Sequence, residues 1–394
     1  MRDGRDITMV NLFEEGFFDH AFEKMSHKKK NAGIDGIRGI DLPEYWLKNG
    51  KSITEELLTG TYIPSPATKH AIPKPGKKEK RILEIPCVID RVIQKALSEL
   101  LSTYYDETLK DESYAFRTGR GQHDAIFKCQ DIISENYETA LDLDIKSFFD
   151  NVNHDLMMNL LKRNITDKAI LNTIRTYLKM KVVYGNHVYQ KHLGLCQGSA
   201  LSPLLSNIYL NEFDCFLKEN DMKFIRYADD VIIFFHKETD AESALTEIET
   251  FLNEKCRLRL NPEKTTIVQS KDICFLGYGF DTDPSGNISM VLNNKTKEKM
   301  YLKMSEHIKK SDKNTVRWWQ RQSDFNRGWI NYYRYIDYTN MRRFLDEADK
   351  KQIELVKEKI KHSKYADSKE IYIDSLKKCI NFVGVKEWFD HICR

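Results

Sequence analysis

The spacing of apolar and polar residues changes several times along the chain, and each change marks an element. From residue 8 to about 60 the apolar positions recur mostly at helical spacing, with a loop over 31–41. The break Pro64-Ser-Pro66 opens a β-hairpin whose tip is Pro75-Gly76-Lys77-Lys78. Helices are predicted over 87–109 and 121–137. A strand follows over 139–146, where Leu141, Leu143 and Ile145 alternate with Asp142 and Asp144 on the opposite face. Further helices are predicted over 154–162 and 167–179, then a hairpin near Tyr184-Gly185-Asn186 and a helix over 203–219. Residues 226–235 predict strand, turn and strand, because the carboxylates Asp229 and Asp230 interrupt two apolar, β-branched and aromatic runs. A helix over 239–256, short strands to about 291 and a helical region over 295–360 complete the pattern. In the last region Trp318, Phe325, Trp329 and Tyr332 line one helix face, which reads as core.

The carboxylates change the picture from fold to chemistry. Successive strand residues point to opposite faces, but a turn at Ala228-Asp229-Asp230 brings both acids to one end of a hairpin. Acids gathered there repel unless a cation neutralises them. Magnesium takes oxygen ligands, commonly one or two carboxylates plus substrate phosphates. Asp144, near the end of the upstream strand, is the candidate for a second bridging carboxylate in a two-metal nucleotidyl-transfer site. The plainer reading of Asp229 and Asp230 is a hairpin turn, in which Asp is an ordinary residue. Asp142 reads as a solvated or hydrogen-bonded strand position, and Asp150 and Asn151 as caps of the helix that starts near His154.

Motifs in a fixed order then carry a family resemblance. They run Asn31-Ala-Gly-Ile-Asp-Gly; Ala71-Ile-Pro-Lys-Pro-Gly through Arg81-Ile-Leu-Glu-Ile-Pro; Asp90-Arg-Val-Ile-Gln; and Ser113-Tyr-Ala-Phe-Arg. Next come Asp144 to Asp150, Gln197-Gly-Ser-Ala-Leu-Ser-Pro, Tyr227-Ala-Asp-Asp, Asn261-Pro-Glu-Lys-Thr, Phe275-Leu-Gly-Tyr and Arg327-Gly-Trp-Ile-Asn-Tyr-Tyr. Together they resemble the bacterial reverse transcriptases of the group II intron lineage, from about residue 10 to about 340.

The resemblance implies an α+β fold of right-hand polymerase type, with fingers, a palm built on an antiparallel sheet, and a helical thumb. The implied division is an N-terminal helical extension over 1–62, fingers over 63–138, palm with part of the fingers over 139–291, thumb over 292–360, and a tail of unread role over 361–394. The implied activity is RNA-directed DNA synthesis with two Mg2+ ions, or Mn2+ in their place. Asp144 and Asp229 would bridge the metals and Asp230 would be a weaker ligand or electrostatic support. Lys74 and Arg81 would clamp the triphosphate, as an ammonium and a planar guanidinium suit a polyanionic leaving group. Gln197 would lie against the incoming sugar, with Gly198 allowing close backbone approach. Phe149 would block a ribose 2′-hydroxyl while Phe148 points into the core, making deoxynucleoside triphosphates the substrate. Lys264 would sit near the pyrophosphate as general acid, or be a surface lysine. Arg117 would contact template or nucleotide, or form a structural ion pair.

Composition adds where nucleic acid would bind. There are 62 Lys+Arg against 59 Asp+Glu, a net charge of only +3, so any basic surface has to be local. Residues 69–81 and 295–327 are the basic stretches. They suggest Lys77, Lys78, Lys309, Lys310, Arg317 and Arg321 as contacts to RNA or an RNA–DNA hybrid. The eight cysteines form no Cys-x-x-Cys pair, which disfavours a zinc site and fits reduced thiols in a cytoplasmic protein. No apolar run is long enough for a membrane helix, and the N-terminus lacks a signal peptide's apolar core.

Two departures qualify the resemblance. Ala115 and Thr118 stand where the lineage usually has Gly and Pro. No Cys-rich endonuclease pattern follows the thumb, so intron mobility by target cleavage is not expected. The expected role is therefore a standalone enzyme with a dedicated non-coding RNA as template and a supplied primer, in phage defence. The alternatives are a minimal group II intron maturase and a catalytically idle RNA-binding splicing factor. The oligomeric state is not readable.

Overall fold

The protein is described by a computed structural model covering residues 7–28, 32–73, 80–309 and 315–361. In chain order its strands are β1 (Ala67–Pro73), β2 (Lys80–Ile85), β3 (Thr139–Asp144), β4 (Lys181–Tyr184), β5 (His187–Gln190), β6 (Lys223–Tyr227), β7 (Asp230–Phe235), β8 (Thr266–Gln269), β9 (Tyr278–Thr282) and β10 (Ile288–Leu292). Helices surround mostly antiparallel sheets, so the class is α+β as the sequence implies.

The chain divides into two compact units, one of residues 1–128 and 137–268, the other of 129–136 and 269–394. The first holds two four-stranded sheets. In one the order is β2-β1-β4-β5, with β1 and β4 parallel; in the other it is β6-β7-β3-β8. Two-residue alternation builds β3: Leu141 and Leu143 are buried, whereas Asp142 and Asp144 keep partial exposure. The helices Val88–Tyr105 and Ser202–Glu219 are buried over much of their surface and supply the core.

Helix starts follow local chemistry. Asn153 accepts a hydrogen bond from the Leu156 amide at 2.9 Å and caps His154–Lys162. This corrects the expectation for Asp150 and Asn151. Both lie in the preceding turn Phe148–Asn151, where the Asn151 amide donates back to the Lys146 and Ser147 carbonyls. Asp167 caps Lys168–Leu178 and also accepts from the Met9 amide, tying the N-terminal segment to this unit.

The second unit contains the β9–β10 hairpin and the helices Asn294–Lys309, Thr315–Tyr333 and Tyr338–Lys361. The hairpin falls with these helices, ahead of the boundary expected at 291/292, because the Tyr278 ring is buried against Tyr332 and Tyr333. Of the expected aromatic face, Phe325 packs on His307, and Trp329 on Tyr333 and Phe344. The Trp318 side chain lies outside the described residues. The deepest line of the helix Thr315–Tyr333 is offset and partly polar. Asn326, fully buried, exchanges two amide hydrogen bonds with Gln352 at 3.0 and 3.1 Å. Reciprocal pairing satisfies both amides and makes their burial tolerable.

Candidate active site

The tight turn Ala228-Asp229 joins β6 to β7. Tyr227 and Asp230 are register partners across it, and Ala228 takes φ +60°, an uncommon backbone state for a residue other than glycine. In the same register Asp230, the first residue of β7, stands opposite Asp144, the last residue of β3. The fold therefore brings Asp144, Asp229 and Asp230 to one end of the central sheet, and the alternation of β3 adds Asp142 on the same face. Partial burial first, then the Asp229, Asp142 and Asp144 carboxylates, push the Asp230 carboxyl up to about 6, with Lys264 pulling the other way. The Asp230 residue still opens to water, which screens part of this repulsion.

The segment after residue 257 completes the cluster. Asp144 donates its amide to Thr265 Oγ1 at 3.3 Å and accepts from the Asn261 amide at 2.8 Å. Asn261-Pro262-Glu263-Lys264 is a turn, closed by the Lys264 amide on the Asn261 carbonyl at 3.1 Å. It aims the Lys264 ammonium at Asp144, 2.7 Å from one carboxylate oxygen and 3.3 Å from the other. Lys264 is thus at the carboxylate cluster.

The donor set of hard carboxylate oxygens suits magnesium or manganese. Among the described residues no three acidic, histidine or cysteine side chains already converge to hold a metal ion. Asp144 is turned instead to the Lys264 ammonium, which supplies positive charge where the acids crowd. Mutual repulsion at Asp230 and the oxygen donors together fit a site that gains from a divalent cation.

One buttress of this turn was not anticipated from sequence. Arg226 is fully buried. It donates to both carboxylate oxygens of Asp214, at 2.7 and 2.5 Å, and to Asn207 Oδ1 and the Ala228 carbonyl, each at 3.0 Å. The guanidinium fork thereby fixes the carbonyl of the strained turn residue. An arginine directly before Tyr227-Ala228-Asp229-Asp230 inside an apolar strand was the available signal.

A small cavity of about 210 Å³ brings together Phe149, Gln197 and Gly198, with Leu83 of β2 and Ser202 and Pro203. Phe148 is buried in the core and meets Phe149 edge-on at 5.4 Å, while Phe149, half-buried, lines the cavity wall. Gly198 has a different neighbour from the one expected. At φ +137° a Cβ here would stand 2.4 Å from the Glu84 carbonyl oxygen, so its lack of a side chain admits the β2 backbone. The Glu84 amide donates to the Gln197 carbonyl at 2.8 Å, and the nearly buried pair Lys191–Glu84 at 2.8 Å reinforces the seam. Gln197 makes a long contact, 3.4 Å, to Asp150 Oδ1.

Arg117 is not in this cavity. Its guanidinium is committed to Asp106 Oδ1 at 2.6 Å and to the carbonyls of Asp106, Lys110 and Ser113. The structural reading replaces the nucleotide-contact expectation, because these bonds use most of its donors within a single loop. Lys74, Lys77, Lys78, Lys310 and the Arg81 side chain lie outside the described residues. Lys309, Arg317 and Arg321 are exposed on helices of the second unit.

A sequence profile described as "Reverse transcriptase (RNA-dependent DNA polymerase)" matches residues 72–280. The group II intron-encoded protein LtrA of Lactococcus lactis subsp. cremoris is 27% identical over 330 residues, covering 66% of this chain and 54% of LtrA. Protein YkfC of Escherichia coli K12 is 30% identical over 285 residues, covering 62% of this chain and 74% of YkfC. The putative COX1/OXI3 intron 1 protein of Saccharomyces cerevisiae is 26% identical over 289 residues, covering 59% of this chain and 34% of that protein. The chain thus spans about half the length of LtrA. The profile spans both the carboxylate cluster and the residues that line the cavity: this chain belongs to the reverse transcriptase family, in its group II intron-like branch.

Proposed function

We propose that the chain is an RNA-directed DNA polymerase that copies an RNA template into cDNA from deoxynucleoside triphosphates. The observation that carries this reading is the register match of Asp144 with Asp230, with Asp229 in the turn between β6 and β7. A primer 3′-hydroxyl attacks the α-phosphate of the incoming nucleotide and pyrophosphate leaves. Two divalent cations, Mg2+ or Mn2+, would be held by Asp144, Asp229 and Asp230 and would supply a more acidic hydroxyl and charge neutralisation at the phosphate. The chain's own groups do the rest. Phe149, Gln197 and Gly198, which line one cavity, are proposed to receive the nucleotide, with Phe149 excluding a 2′-hydroxyl. Lys264, beside Asp144, is placed to donate a proton or positive charge to departing pyrophosphate. Lys74 and Arg81 are proposed to hold the triphosphate.

The template proposed is a dedicated structured RNA, gripped in part by the basic residues Lys309, Arg317 and Arg321, with the cytoplasm as compartment and phage defence as role. The names of the intron-encoded relatives support a second reading, a maturase for its own intron. Sequencing the RNA and cDNA that co-purify with the protein separates these roles. One enriched neighbouring non-coding RNA with matching cDNA supports the first, a spliced intron supports the second, and a diffuse spread of transcripts contradicts both.

A further inference from the structure

A second charged cleft lies between the helices His154–Lys162 and Lys168–Leu178. It has a volume of about 280 Å³ and is lined by Lys162, Arg175, Lys179, Asn159 and His154, with Asp155 as its one acid. Basic residues at helix C-termini complement the helix dipole, which explains one at each helix end. It does not explain three in one cleft, none of them in an ion pair among the described residues. His154, one of the lining residues, also carries a buried polar atom without a partner. His154 is buried; its Nε2 is 2.8 Å from the Gly194 carbonyl, and its Nδ1 has no partner among the described residues. Burial, then Lys191 and Lys179, hold the imidazole below its ordinary value, against the Gly194 hydrogen bond and Asp155.

Arg175 and Lys179 also border a larger, more apolar hollow of about 450 Å³ formed by Ile63, Pro64, Pro66 and Met180. Ile63 is 80% exposed there, an unusual place for a large apolar side chain. Cations flanked by an apolar shelf suit a phosphodiester whose base lies against the shelf, more than they suit a free anion.

We propose that this cleft and its apolar shelf bind a phosphate and the adjoining base of single-stranded RNA, at a site separate from the carboxylate cluster. The choice of RNA rests on the function proposed above; the phosphate chemistry does not. The site would hold a single-stranded stretch of the template RNA that is not being copied.

The full chain, saturated with a short unlabelled primer–template hybrid, is titrated with a fluorescein-labelled single-stranded oligouridylate. Lys162→Gln/Arg175→Gln/Lys179→Gln should weaken binding at least about tenfold. It should also flatten the slope of log affinity against log salt by about 0.7, the value for one lost phosphate contact on a single strand. Extension of the short primer–template should be unchanged. A comparator with equal charge loss on exposed residues elsewhere in the unit, Lys237→Gln/Lys255→Gln/Arg257→Gln, should bind like the parent. Equal weakening of both triple variants, or of neither, overturns the site. Thermal stabilisation of the parent by inorganic phosphate at constant ionic strength, with unchanged oligouridylate affinity in the first variant, makes it a small-anion site and overturns the RNA assignment. If the parent fails to extend primers but the binding difference holds, the polymerase reading falls and the cleft stands.

Discussion

Asp144 and Asp230 face each other as register partners at the shared end of β3 and β7. Like charges in that position destabilise a sheet, and the Lys264 ammonium, 2.7 Å from Asp144, partly offsets the cost. The divalent cations proposed above would offset the rest.

Phe149 is expected to set sugar selectivity. Its ring is half-buried against Phe148 and lines the cavity with Gln197 and Gly198. Phe149→Val should raise ribonucleotide use relative to deoxynucleotide use by about tenfold or more, since removing a steric block of this kind is worth on the order of 1–3 kcal/mol. Relative incorporation on one primer–template measures it, after a melting curve confirms that the variant folds. An unchanged ratio places the gate elsewhere.

Gly198→Ala should loosen the seam between β2 and the Gln197 segment. The added Cβ would overlap the Glu84 carbonyl oxygen at 2.4 Å, and the φ of +137° is closed to alanine. Backbone strain of this kind costs about 1–3 kcal/mol, and the overlap adds to it. Urea unfolding should show a lower midpoint, and the KM for deoxynucleotides should rise. A variant with both unchanged would show that the seam tolerates a side chain.

Removing the guanidinium of Arg226 should be far more damaging than an ordinary surface change. Arg226→Met strands the buried Asp214 carboxylate and frees the Ala228 carbonyl. Breaking a buried pair from one side costs about 3–5 kcal/mol. Arg226→Met with Asp214→Leu should recover part of the stability, yet not the activity, because the turn carrying Asp229 loses its anchor. Full activity in the stabilised double variant contradicts that positioning role.

Asp90 gives the fold a pH dependence. It is fully buried, and its Oδ1 accepts hydrogen bonds from Tyr62 at 2.9 Å and Tyr177 at 3.1 Å. Burial pushes its carboxyl up to about 7, against the pull of those two hydroxyls. Unfolded, the group titrates near its ordinary value of about 3.9. The folded chain therefore holds the extra proton between about pH 4 and pH 7. The stability this group contributes is complete below that window and is lost as pH rises through it. Asp230, at about 6, acts in the same sense. Asp90→Asn keeps an oxygen for both tyrosines, so its stability relative to the parent should improve from pH 5 to about pH 7 and level off towards pH 8. Thermal melts across that range check it, and a gap independent of pH contradicts it.

What the sequence disclosed was what local patterns carry. Alternation over 139–146 placed Asp144 on β3, and the adjacency of Asp229 and Asp230 placed the turn. The contact of Lys264 with Asp144 came only from the structure. Contacts between distant positions were not legible. Nothing local says that Gly198 must admit the backbone of Glu84, or that Asp214 is the partner of Arg226. The Asn326–Gln352 pair hid behind a more conspicuous aromatic stripe, because two amides satisfy each other only once two helices meet. Arg117 carried a motif that suggested substrate, while its bonds to the loop over 106–113 make it structural.

The most direct test is primer extension on an RNA template with deoxynucleoside triphosphates and magnesium, comparing the parent with Asp229→Asn/Asp230→Asn. The account predicts that the parent makes a DNase-sensitive, RNase-resistant product. The double variant should lose at least about a thousandfold in rate while binding the template RNA as before, because it lacks only the carboxylates that would receive the metal charge. Extension by the double variant at the parent's rate would contradict it.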